Sequence, residues 1–347
     1  MTSNLRKLPN YTQLDLFHAD FNDIAMRALQ EVMERPFFAL TNNKPRFEPI
    51  VYKTRSAEVT ISGGKPHGIA TIFDHDILMW IISQIVEARD DGQPTSPQMD
   101  FTPYKCLQGI YRRTGGHEYQ LLTKALHRLA NTYVTTSIRK EDQIPLKRSE
   151  RRRLEEGFHW IEGIGIQYVE RNGKEAPEGM TVVIPNWLYR GALKHGNILT
   201  IDERYFLMRS GLERVLYMIA RKHVGRQDQW QFTIRELYEK TGSEMPYRDF
   251  AKKIRKIVAR DPLPEYSMTI YRGQHDDEIV IFSNRRKLAL EDPRHESPRL
   301  DKRIQRLRVG LIPDDADEAR QKLYARRGID LKKNAEKVIA EHDVDNS

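Results

Sequence analysis

Between residues 74 and 138 the apolar positions recur first at helical spacing and then in alternation. Ile77, Leu78, Trp80, Ile81, Ile82 and Ile85 make a strongly apolar helix that Asp74 caps and that runs to Ala88. Thr102 and Pro103 open a second helix, carried through Leu107 and Ile110. Thr114-Gly115-Gly116 then supplies the positive-φ residues of a sharp turn, and a third helix runs from His117 to Ala130. Thr132 to Ile138 is β-branched and aromatic, which suits a strand. This order predicts a helix-turn-helix of the winged kind, in which a hairpin follows the recognition helix.

The pattern occurs twice. Phe232-Thr233 opens a helix with Leu237, Thr241-Gly242 turns, and a further helix runs from Pro246 to Ala259. Shifted by 128 positions, Leu122, Leu126 and Leu129 become Phe250, Ile254 and Ile257, so core maps onto core. Strands at Tyr266 to Arg272 and Glu278 to Phe282 follow, and apolar helices at Asp74 to Ala88 and Leu212 to Val224 precede the two units. The predicted fold class is α+β, with tandem winged helix-turn-helix domains.

The outward faces differ from the core faces in chemistry. In the first unit His117, Gln120, Lys124, His127, Arg128 and Asn131 point away from Leu122, Ala125, Leu126 and Leu129. In the second, Arg248, Lys252, Arg255 and Lys256 do so. Gln120 and Asn131 suit adenine edges, while Arg248 and Arg255 suit guanine, as does Arg128 or Lys124, either of which also suits phosphate. Lys252 and Lys256 suit phosphates.

Net charge supports a polyanionic partner. The 347-residue chain carries +8, with an isoelectric point near 9.3. From residue 288 onward 13 basic residues balance 13 acidic ones, so the excess lies in residues 1–287. Residues 246–260 hold six basic residues against Asp249 alone. A second cluster, Arg139, Lys140, Lys147, Arg148, Arg151, Arg152 and Arg153, follows the strand of the first unit, where a wing is expected.

The remaining chain reads as four regions: an N-terminal extension 1–66, a first winged-helix domain 67–195, a second 196–287 and a charged tail 288–347. Asp20 to Met33 has helical spacing, Pro49 to Lys53 and Glu58 to Ser62 are strand-like, and Gly63-Gly64-Lys65 is a hairpin exit. Further strands are expected at Phe158 to Ile161, Gly165 to Val169 and Met180 to Ile184, with a short helix from Pro185 and a linker at Gly191 to Asp202. In the tail, Ile304, Leu307 and Leu311 suggest one amphipathic segment.

Several chemistries lack their motifs. The single Cys106 excludes an internal disulfide and any zinc site with two cysteine ligands, and is expected as buried packing. GxxxxGK[ST] is missing, as is a paired His-x-His beside a nucleophilic Tyr, so the expectation is a non-enzyme with no cofactor and no metal. Apolar runs are too short for a bilayer, and Asp15, Asp20 and Asp23 interrupt the N-terminal region, so a cytoplasmic protein with no membrane partner is expected.

Specific strings resemble the replication initiator protein A family of plasmids and chromids. They are Met33-Glu-Arg-Pro-Phe-Phe38, His67-Gly-Ile-Ala-Thr-Ile-Phe-Asp74, Thr102-Pro-Tyr104, Thr114-Gly-Gly116, Leu199-Thr-Ile-Asp202, Gly211-Leu-Glu-Arg214, Leu216-Tyr217, Ala220-Arg-Lys-His223, Asp261-Pro-Leu-Pro264 and Tyr266. The resemblance covers residues 12–286 and implies a plasmid replication initiator. Such a protein binds double-stranded origin DNA, helps open the duplex and recruits host replication proteins, the helicase or its loader, without hydrolysing nucleotides itself. In the wider class of two-domain initiators monomers initiate and dimers repress, which adds a homodimer to the expected partners. The alternative within the same class is a tandem winged-helix transcriptional repressor.

Overall fold

The computed structural model describes residues 17–22, 24–41, 44–54, 58–137, 156–171, 173–273 and 277–295, all within a compact unit that ends at Leu300. The basic cluster Arg139 to Arg153 and the amphipathic segment at Ile304 to Leu311 lie outside the described residues. In chain order the elements are β1 (Phe17–His18), β2 (Arg27–Leu29), β3 (Ile50–Lys53), β4 (Glu58–Gly63), α1 (His75–Asp90), β5 (Gln98–Phe101), α2 (Pro103–Gly109), α3 (Gly116–Asn131), β6 (Thr132–Thr136) and β7 (Glu156–His159). They continue as β8 (Gly163–Arg171), β9 (Lys174–Val183), α4 (Asn186–Leu193), β10 (Ile198–Thr200), α5 (Gly211–His223), β11 (Gln229–Thr233), α6 (Ile234–Thr241), α7 (Tyr247–Arg260), β12 (Tyr266–Arg272) and β13 (Glu278–Asn284). The protein is thus α+β.

Two segments share one element order. In the second, α5 precedes β11, Thr233 caps α6, α7 follows, and β12 and β13 close a sheet ordered β11-β13-β12. Thr233 Oγ1 accepts from Glu236 N at 3.1 Å while Glu236 Oε2 accepts from Thr233 N at 2.7 Å, a reciprocal cap that fixes where the strand becomes a helix. In the first, α1 precedes β5, and Thr102 Oγ1 caps α2 by accepting from Lys105 N. After α3, the sheet is completed by β8 and β9 in the order β1-β5-β9-β8. Phe101 sits opposite Met180 as Phe232 sits opposite Val280, so each β-to-α junction abuts the centre of its sheet.

The strand expected after α3 forms as β6 and pairs antiparallel with β7, the next strand in the chain, but the sheet they share, β3-β4-β6-β7, also takes in β3 and β4 and is separate from the one that holds β5. The hairpin that corresponds to β12–β13 is β8–β9, later in the chain. On its other edge β6 pairs with residues 58–63, far away in sequence. Two other expectations are corrected.

The turn between α2 and α3 does not use glycines at positive φ. Gly115 has φ −106 and Gly116 is already helical, whereas Tyr111 takes φ 56. Arg112 N donates to Leu107 O and Tyr111 N to Gln108 O, which closes the end of α2 around a left-handed residue. Tyr111 tolerates this conformation because its ring stacks on Phe206 at 5.6 Å and its hydroxyl donates to Glu203 at 3.0 Å. The second unit follows the expected rule: Gly242 caps α6 at φ 59, and a Cβ there would lie 2.6 Å from Pro36.

The helix expected over Asp20 to Met33 is absent. Arg27–Leu29 is strand β2, paired with β10, and a 3₁₀ turn covers Gln30–Val32. The backbone of this segment bonds to side chains of α1: Phe21 N donates to Gln84 Oε1, Phe21 O accepts from Gln84 Nε2, and Arg27 N donates to Ser83 Oγ. Helical bonding would leave the buried Ser83 and Gln84 without those partners.

The core is centred on α1, which is buried around nearly its whole circumference. Gly109 of α2 approaches it so closely that a Cβ would sit 2.4 Å from the Trp80 ring. At one end of α1, Phe38 stacks on Trp160 at 4.9 Å and on His75 at 4.7 Å, and Phe37 meets Trp160 edge-on. Cys106 is buried, as expected of packing.

Candidate nucleic-acid interface

Helix α7 places its apolar and basic residues on opposite sides. Phe250, Ile254 and Ile257 are buried, each contributing about 1.5–3 kcal/mol to docking of the helix. Arg248, Lys252, Arg255 and Lys256 are exposed on the other side. Arg255 is tied to the adjacent hairpin, where its Nε and Nη2 donate to Glu278 at 2.8 and 2.5 Å. That bond holds the Glu278 carboxyl below its ordinary range. Arg248, Lys252 and Lys256 have no ion pair among the described residues. Lys253 is also exposed, on the flank of the helix.

Helix α3 has the expected core, with Leu122, Ala125, Leu126 and Leu129 buried. Its outward residues divide along its length. His117, Gln120 and Lys124, in the first turns, are exposed, together with Leu121. The later ones are engaged by the protein itself. His127 stacks face to face on His67 with centroids 5.2 Å apart, and Asn131 Nδ2 donates to Gly64 O at 2.8 Å.

Arg128 turns further away, toward α1. Its Nε and Nη2 donate to Asp74 at 2.8 and 2.7 Å, and the carboxylate is almost fully buried. Its guanidinium is therefore committed to an internal pair. Asp74 stands at the start of α1 as expected, but its side chain makes no cap; it accepts from Thr71 N and from Arg128 instead. Lys147, Arg148, Arg151, Arg152 and Arg153 fall outside the described residues.

Behind these faces a buried ionic centre joins the two segments. Arg214 of α5 donates from Nη1 to both oxygens of Asp76 on α1, at 2.6 and 2.8 Å, and to the carbonyls of Met208 and Phe206. Arg112 donates to Asp76 at 3.0 Å, and Arg214 also lies over the Phe73 and Tyr205 rings. Two cations on one carboxylate, with Arg214 Nε and Nη2 donating to carbonyls and its guanidinium over two rings, is an arrangement that can hold charge in a core. Burial beside Arg214 pushes His75 down to about 3, so that imidazole is neutral.

Further links lie along α5 toward its C-terminal end. Glu34 bonds Lys222 at 3.0 Å and Arg35 at 3.1 Å; burial pushes its carboxyl up, but these charges outweigh that and hold it below its ordinary value. Tyr217 donates to Glu265 and accepts from Asp202 N. Several residues in the strings that carry the family resemblance, Glu34, Asp202, Arg214 and Tyr217, thus bind one segment to another.

Among the described residues no three His, Cys, Asp or Glu side chains gather as a metal site, and no helix is long and apolar enough to cross a membrane.

Comparison with solved structures places this architecture with that of domains 2 and 3 of RctB. The match to a crystal structure of those domains has a TM-score of 0.54 at 12% identity, covering 75% of this chain and 99% of the other. A second crystal structure of RctB domains 2-3 matches with a TM-score of 0.45 at 13% identity, over 71% and 94% of the two chains. The family model described as Replication initiator protein A matches residues 27–268. A "Putative replication protein" of Wigglesworthia glossinidia brevipalpis is 33% identical over 258 residues, 73% of this chain and 86% of the relative. The chain belongs to the replication initiator protein A family.

Proposed function

We propose that this initiator binds double-stranded DNA at a replication origin through two winged-helix units, with α3 and α7 as the recognition helices. The observation that carries the reading is the repeated order of helix, strand, two helices and hairpin. Each copy exposes a polar face on its last helix. In the first unit the wing is the β8–β9 hairpin, and in the second β12–β13. Two such helices entering successive major grooves span about 20 base pairs.

The roles follow from what each side chain has free. Gln120 and Lys124, with His117, reach base edges from the first turns of α3, and Arg248 does so from α7. Lys252 and Lys256 hold phosphates. Arg255 braces α7 against its wing through Glu278. The bound protein promotes duplex opening and recruits the host helicase or its loader, acting without catalysis of its own. The family membership supports this part of the reading.

The test places the gene and its flanking DNA on a marker plasmid that cannot otherwise replicate. Transformants are expected with the wild type and not with the Arg248→Ala/Lys252→Ala/Lys256→Ala variant. Transformants at equal frequency with both would contradict a role for α7 in initiation.

A further inference from the structure

We propose that residues 63–67 form a second DNA-contacting element of the first unit, set against the last turns of α3 with Lys65 on the phosphate backbone. This deepens the reading of α3 as a recognition helix and rests on it. The placement begins with strand register. β4 ends at Gly63, which pairs with Thr132, the residue immediately after α3. The chain leaving β4 must therefore turn beside the C-terminal end of that helix.

Two hydrogen bonds and a ring stack fix the turn there. Gly64 O accepts from Gly68 N at 2.9 Å and from Asn131 Nδ2 at 2.8 Å, and His67 stacks on His127. The close approach needs glycine, since a Cβ on Gly63 would lie 2.5 Å from the Gly68 backbone. On the far side Ala70 N donates to Thr132 Oγ1 at 2.7 Å, which fastens the returning chain to the same residue. Gly64, Lys65 and Pro66 remain exposed, and Lys65 has no ion pair among the described residues.

Two outward residues of α3, His127 and Asn131, thus hold a turn rather than a base. Lys124 lies one helical turn before His127 on the same face. The surface therefore runs from Lys124 across the paired imidazoles to the turn that carries Lys65, with an exposed lysine at each end. A recognition helix reads bases with its N-terminal residues while flanking chain grips the backbone. His117, Gln120 and Lys124 remain open for the first task, and Lys65 is placed for the second.

The test measures binding of the full chain to a duplex covering the DNA that flanks its gene, and to a random-sequence duplex of equal length, across a salt series. Lys65→Ala is expected to weaken both equally, by about threefold to tenfold, and to lower the salt slope by about 1. Asn131→Ala, which releases the turn, is expected to weaken both in the same way, with little further loss in the double variant. Wild-type affinity and slope in Lys65→Ala and Lys65→Glu, alongside a Gln120→Ala variant weakened on the gene-flanking duplex, would overturn this proposal and leave α3 as the reader. Wild-type protein that binds neither duplex would overturn the reading of α3 as well. Lys65 is solvent-exposed, so matched thermal melts separate these outcomes from misfolding.

Discussion

Helices α3 and α7 differ in what their outward cations face. In the first unit, Arg112 and Arg128 turn inward to Asp76 and Asp74, and the exposed face of α3 keeps Lys124 among neutral polar residues. In the second, Arg248, Lys252 and Lys256 stay in solvent, and Arg255 is bound only to its own hairpin. Arg214 of the second unit crosses to Asp76 of the first. The contrast lies in the outward faces of the two helices: α3 commits Arg128 to the fold, whereas α7 displays its cations.

That contrast makes stability and DNA affinity separable by mutation. The largest expected effect is Asp76→Ala, which leaves Arg214 and Arg112 without their carboxylate and should cost about 3–5 kcal/mol in thermal or urea unfolding. A loss under 1 kcal/mol would show that the ionic centre does not hold the segments together. Arg128→Ala should destabilise by about 3 kcal/mol, since Asp74 stays buried, while leaving the salt slope of DNA binding unchanged. A fall in slope without destabilisation would put Arg128 on the DNA side.

In the second unit the effects should reverse. Arg248→Ala/Lys252→Ala/Lys256→Ala should melt as the wild type does, yet lower the salt slope of binding by about 2, one for each phosphate-holding lysine. Destabilisation there would assign those side chains to the fold.

Acid should loosen the first unit. His75 is about 3 in the folded protein and near 6.5 when unfolded, so the unfolded chain takes up the extra proton between those values. The contribution is complete above about pH 6.5 and is lost as pH falls toward 3, by up to about 1.4 kcal/mol per pH unit. A His75→Leu variant should show a flatter stability profile over that window, and an unchanged profile would mean His75 is protonated in the fold. The smallest effect is expected at Arg255→Ala, where an exposed pair contributes about 0–1 kcal/mol.

How much of this could be read from the chain depends on the range of the interaction that decides it. The helices α1, α3, α5 and α7 follow from apolar spacing, and the threonine caps at 102 and 233 from local hydrogen bonding. The second hairpin is visible because β12 and β13 are neighbours in sequence as well as in the sheet. In the first unit the strands β6 to β9 are visible too, but the place of β8–β9 beside β5 is not, because β6 and β7 intervene and join a sheet with β4, some 70 residues earlier.

Arg128 and Lys256 occupy equivalent positions in the two helices, and no local pattern separates them. Their difference lies in Asp74, a residue on another helix. Tyr111 as the left-handed residue is equally invisible, since its conformation rests on Phe206 and Glu203. The apparent helix at Asp20 to Met33 fails for the same reason, its backbone being bound to side chains of α1.

The most direct test of the account is a hydroxyl-radical footprint of the full chain on the DNA flanking its gene. The account predicts two protected stretches about one helical turn apart. Gln120→Ala should weaken one, and Arg248→Ala/Lys252→Ala/Lys256→Ala should remove the other. A single protected stretch affected equally by both variants, or no protection at all, would contradict DNA recognition by two separate helices.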